Sequence, residues 1–110
     1  MTQPQRIRSL EEQEAFDRMQ ELADAERVQA LRDVLATLAG RRVLWWLLEQ
    51  CHLYHQSWSP GQADRTAFLE GERSIGLRLL DQIERVGPLR YAQMREEALE
   101  RARQRESEHG

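Results

Sequence analysis

Proline occurs at three positions only, Pro4, Pro60 and Pro88, and glycine stands beside the last two as Gly61 and Gly87. A proline inside a helix removes a hydrogen bond and clashes with the preceding turn, so its placement marks where helices must stop. Here the breakers predict boundaries near 56–62 and at 87–88, with long uninterrupted tracts between them. β-Branched residues are sparse and never alternate over four or more positions, which leaves strands without support. The expected fold is therefore all-α: a small helical bundle of four to five helices with a long central helix and short loops. At 110 residues there is room for one helical domain, 1–110, with 1–9 and 104–110 expected to be flexible.

The first tract opens at Ser9, where Ser9, Leu10, Glu11, Glu12 has the pattern of a capping box. Phe16, Met19, Leu22 and Ala23 follow at helical spacing. Asp24 can cap a second helix carrying Val28, Leu31, Val34, Leu35 and Leu38, or the whole tract is one bent helix. Thr37 suits the start of the next helix, from about 38 to 54. Val43, Leu44, Leu47, Leu48 and Cys51 lie on one side of it, with Trp45 and Trp46 on its flanks. From about Ala63 to Val86 the expected inward stripe is Phe68, Ile75, Leu79, Ile83 and Val86, with Leu69, Gly76 and Leu80 beside it. Gly71 and Gly76 each cost about 1 kcal/mol relative to Ala in a helix interior. That cost predicts close approach by another backbone or by the indole of Trp45 or Trp46. Gly87 is expected to supply a left-handed stop and Pro88 to begin the last helix, about Leu89 to Arg105, with fraying past 103. Glu14–Arg18, Asp81–Arg85 and Glu97–Arg101 have the favourable i, i+4 order.

All sixteen basic residues are Arg, and Lys and Asn are both absent, a bias that points to a GC-rich genome. The net charge is −3, so the whole-molecule field repels phosphate. Between Gly40 and Arg95 the local balance is positive, and Arg41 with Arg42 forms a possible phosphate contact and the basis for weak DNA binding. The turn near 56–62 is too long for a helix-turn-helix, and the helix before it is too apolar to lie in a groove. No run approaches the roughly 20 apolar residues of a bilayer span, and no secretory signal opens the chain. This implies a soluble protein assembled in a cytosol.

Cys51 is the single cysteine, which excludes an intrachain disulfide. Cys51, His52 and His55 are the one cluster with metal-ligand chemistry, but a structural zinc site needs four closed ligands, and none is expected. A Cys nucleophile with a His base is available in the same residues, but side chains at adjacent or i+4 helical positions seldom form the nucleophile, base and orienter arrangement that activation needs. No phosphate loop or hydrolase motif occurs, so neither enzymatic activity nor a cofactor is expected.

Apolar residues wrap more than half the circumference of the 38–54 segment, more than a 13 kDa bundle covers alone. Trp45, Trp46 and Trp58 are the candidate partner interface, because Trp is enriched where proteins meet. Trp58, in the loop, either serves a partner or folds back to close one end of the bundle. A homo-oligomer is the expected state.

Gly40, Arg41, Arg42, Val43, Leu44, followed by Leu47 and Leu48, form a G-R-x-V-L helix start. Thr66 to Leu77 has the form T-A-F-x-E-G-x-R-x-x-G-L. With the intervening loop of aromatic and serine residues, these segments make about Leu35 to Glu97 resemble a family of small helical proteins of podovirus-type tailed phages. Those proteins are encoded in the head and portal gene region, in phages of GC-rich hosts. The resemblance implies a non-enzymatic structural protein of the virion, present in several copies. Its expected partners are the portal or other head and internal proteins, and it lies in the capsid interior or is ejected with the DNA. The alternative is a small DNA-binding or DNA-packaging accessory protein that is not retained in the virion.

Overall fold

The computed structural model describes residues 9–53 and 60–109. Within them are four helices and no strand: α1 (Leu10–Ala36), α2 (Leu38–Gln50), α3 (Ala63–Val86) and α4 (Arg90–His109). This is the expected all-α bundle. The chain divides into two compact units, Met1–Ala30 and Leu31–Gly110.

The first unit holds the greater part of α1. The Ser9 hydroxyl accepts a hydrogen bond from the Glu12 amide at 3.1 Å, satisfying one of the orphan donors of the first turn. Asp24 caps nothing. It accepts from Arg27 at 3.1 Å within a helix that runs on to Ala36, so the two-helix alternative gives way to one. No residue from Leu10 to Ala30 is buried, and Met19 is 68% exposed.

The second unit contains the last turn of α1 with α2, α3 and α4. Its core is Leu35, Leu44, Leu48, Leu53, Ile83 and Met94, with Leu31, Trp45, Leu79, Leu80, Val86 and Tyr91 packed against it. A single residue, Thr37, joins α1 to α2. Its extended backbone suits an N-cap, and its hydroxyl accepts from the Gly40 amide at 3.0 Å. The same hydroxyl donates to the Val34 carbonyl at 3.2 Å, one of the acceptors left over at the end of α1. A Cβ on Gly40 would run into that carbonyl, which explains the glycine.

Several expectations are corrected. α2 ends at Gln50, short of 54, because His52 takes a left-handed conformation with φ of 52°. Histidine is among the residues that tolerate that region. The turn that follows brings Leu53 into the core.

On α3 the buried line is Gly76 and Ile83, flanked by Leu69, Leu79 and Leu80, whereas Phe68 and Ile75 are 66% and 65% exposed. The sequence stripe was centred too far round the helix. At Gly76 a Cβ would lie 2.5 Å from Cys51 Cβ and 2.6 Å from a Leu53 methyl, so the close neighbour is the turn after α2 and not an indole. Nothing lies within 4 Å of a Cβ built on Gly71.

Gly87 has φ of −144° and is not left-handed. Its amide donates to the Ile83 carbonyl at 2.8 Å, and its carbonyl accepts from Arg90 at 2.9 Å, so Pro88 and Leu89 form a turn before α4. α4 continues past Arg103 to His109. Strong helix formers fill that last stretch, and Arg103 lies 3.3 Å from Glu100.

Candidate assembly interface

The orientation of α2 is fixed by Arg41. Its Nε donates to Glu97 Oε1 at 2.8 Å and its Nη2 to Oε2 at 3.2 Å, a two-pronged pairing of planar groups. Its Nη1 donates to the Leu35 carbonyl at 2.8 Å. That carbonyl belongs to the last turn of α1, which has no partner within its own helix, and a cation there also suits the helix dipole. One guanidinium thus ties the end of α1 to α2 and to α4.

The residue is 9% exposed, and the hydrogen bonds it donates to Glu97 raise the arginine's pKa above its usual value against the opposing effect of burial. Reciprocally, the hydrogen bond from Arg41 holds the Glu97 carboxyl below its usual range, with Arg101 and Arg42 adding attraction. Glu97 was expected to pair along its own helix with Arg101, but it reaches across to α2 instead.

The two arginines expected to contact phosphate stand in different surroundings. Arg41 spends its donors inside the chain, and Arg42 alone faces solvent.

With the Arg41, Leu44 and Leu48 side of α2 turned inward, the helical period carries Ala39, Val43, Trp46 and Leu47 outward. Val43 is 57% exposed and Trp46 56%. The two indoles, expected to act together, are divided by their 100° separation. Trp45 packs at the core edge with its ring centroid 5.8 Å from that of Tyr91, while Trp46 points to solvent. Trp58 lies outside the described residues.

Beside Trp45 a groove opens between α2 and α4, lined by Trp45, Tyr91, Arg95, Ala98 and Leu99, with a volume of about 560 Å³. Four of those residues are apolar or aromatic and one is a cation.

The other end of α2 is held by α3. Arg73 Nε donates to the Leu53 carbonyl at 3.2 Å, and His52 Nδ1 lies 3.2 Å from Glu72 Oε2. These contacts, with Gly76 beneath Cys51 and Leu53, account for the residues around the cysteine as a docked turn. Among the described residues no group of three or more His, Cys, Asp or Glu side chains could hold a metal ion, and His55 lies outside them. No described helix is long and apolar enough to cross a membrane.

Sequence reasoning missed Arg41–Glu97 because the partners stand 56 positions apart. An arginine set among the apolar residues that open α2 was the available signal.

Comparison with curated proteins and with solved structures finds no match. Residues 31–96 match the family described as Bbp19-like phage protein, a span that lies within the second compact unit and carries Leu35 and Arg41, the outer face of α2 and the Gly76 contact, and ends one residue before Glu97. That span exceeds half of the chain, and the protein belongs to the Bbp19-like phage protein family.

Proposed function

We propose that this phage protein is a non-enzymatic structural component of the virion, present in several copies and associated with the portal or the capsid interior, from which it is ejected with the DNA or retained. The observation that carries this reading is the outer face of α2, where Val43 and Trp46 are more than half exposed and Leu47 stands beside them. Fully burying an exposed side chain of this kind contributes about 1.5–3 kcal/mol, and at 38–57% exposure a lone chain leaves about half of that unused at each position. A contiguous apolar face rimmed by polar residues is characteristic of an interaction surface. The membership in a phage protein family supports the same assignment.

The alternative, a DNA-binding or packaging accessory protein, rested on Arg41 and Arg42 acting together. With one exposed arginine the local charge is a weaker basis for phosphate binding, and the chain's net charge of −3 opposes it.

The test is mass spectrometry of purified phage particles and of procapsids, with sedimentation of the isolated protein. The expected result is the chain in mature particles at several copies and an oligomer in solution. Absence from both kinds of particle overturns the reading. Presence in procapsids alone identifies an assembly factor that leaves before maturation. A gel shift of DNA that weakens steeply with salt supports the alternative.

A further inference from the structure

The two compact units differ in charge balance. From residue 10 to residue 30 the chain carries seven carboxylates and two arginines, whereas from 31 to 110 it carries twelve of each. The 10–30 stretch of α1 is thus an acidic helical arm. Phe16, Ala23 and Ala30 recur every seven residues along it, and Glu12, Met19 and Glu26 form the adjacent row. Two carboxylates therefore border the stripe that Phe16 and Met19 present to solvent. The groove beside Trp45 is apolar, and Arg95 is the charged residue in its lining.

We propose that the acidic arm of one copy lies in the Trp45–Tyr91–Leu99 groove of a second copy, with Arg95 receiving a carboxylate from the Glu12–Glu26 row. The proposal rests on the multi-copy assignment above and adds to it a contact between copies that is separate from the outer face of α2. Charge selects this pairing over the others. Arm against arm brings two strongly acidic helices together, and groove against groove brings Arg95 to Arg95, while arm in groove places opposite signs across an apolar contact. Phe16, Met19 and Ala23 have the i, i+3, i+7 spacing by which an amphipathic helix seats its anchors in a groove. The small Ala23 and Ala30 allow close approach. Residues 10–30 span about 30 Å at 1.5 Å per residue, long enough for Phe16, Met19 and Ala23 to lie along a groove. Two copies that exchange arms close as a two-fold dimer, and copies that join head to tail form a ring or a filament.

A mixing experiment on the full chain tests this, read by sedimentation velocity and native mass spectrometry. Met19→Glu disables the arm, and Leu99→Glu disables the groove. Both positions are exposed, and circular dichroism verifies that each variant retains the wild-type helicity. The expected pattern is a wild-type oligomer, two monomeric variants, and a one-to-one heterodimer when they are mixed, since one variant retains the arm and the other the groove.

Wild-type-like assembly by Met19→Glu excludes the arm. The same result for Leu99→Glu excludes the groove. A mixture that stays monomeric, or a monomeric wild type, overturns the proposal. Should Leu99→Glu lose helicity, solvent-facing Arg95→Glu replaces it, with association expected to weaken about 30-fold or more and to recover when Glu26→Arg is added to the same chain. No recovery overturns the charge pairing. Failure here with the protein present in virions leaves the structural assignment standing, and absence from particles defeats that assignment whatever the mixture does.

Discussion

Replacing Arg41 with Met removes both bonds to Glu97 and the bond to the Leu35 carbonyl, while keeping an unbranched apolar stem of similar reach. What remains is a carboxylate only 22% exposed and a helix-end carbonyl, each without its donor. Breaking a buried ion pair from one side costs about 3–5 kcal/mol. Glu97 retains some access to water and lies near Arg101 and Arg42, so the lower end applies, about 3 kcal/mol. For a domain of this size that corresponds to a fall in Tm of about 12–25 °C. Replacing both partners with Met removes the stranded charge, so the double variant is expected to be more stable than Arg41→Met alone. Urea melts followed by circular dichroism, arranged as a double-mutant cycle, measure this directly. A loss below about 0.5 kcal/mol for Arg41→Met, the scale of an ordinary surface substitution, would refute the clamp. So would strictly additive losses. A fully stable Arg41→Met that loses affinity for DNA would return the residue to the phosphate role.

Two further measurements probe the same body. Gly71→Ala is expected to stabilise by about 0.5–1 kcal/mol, because the added methyl meets nothing. Gly76→Ala is expected to destabilise by about 1–3 kcal/mol, because the methyl lands on Cys51 and Leu53; equal and favourable shifts in the two melts would contradict the docked turn. Glu97 ionises below its usual value of 4.5 when folded, so the unfolded chain takes up the proton first as pH falls. The pair's contribution is present above that usual value and is lost as pH descends through the folded one. Thermal melts below pH 5 should accordingly drop more steeply for the wild type than for Glu97→Gln, and parallel curves would show that the carboxylate does not carry the effect.

The local signals in this sequence were strong where a single side chain decides the backbone. Ser9 and Thr37 cap as their hydroxyls predict, and α3 has the Ala63–Val86 bounds that its breakers imply. Periodicity was less reliable where apolar residues are abundant. Phe68 and Ile75 satisfy a helical stripe yet face outward, because the buried side of α3 is set by Gly76 and the turn that presses on it. A glycine shows that something comes near or that nothing is required, and spacing does not distinguish the two, hence the different surroundings of Gly71 and Gly76. The uncovered face of α2 was legible, because its apolar residues exceed what one inward side can hold. The division between Trp45 and Trp46 followed only once Arg41 had fixed which side is inward.

Thr37 behaves like a gear tooth. With one residue between α1 and α2, and one hydroxyl engaged by both helix ends, there is no slack to absorb a change of length. Inserting a single residue there would advance α2 by about 100° about its axis, swinging the guanidinium of Arg41 away from Glu97 and carrying Trp46 to a different bearing. Changes in side-chain chemistry along this family member's surface can accumulate one at a time, but an indel at the joint resets the angular phase of every α2 side chain at once.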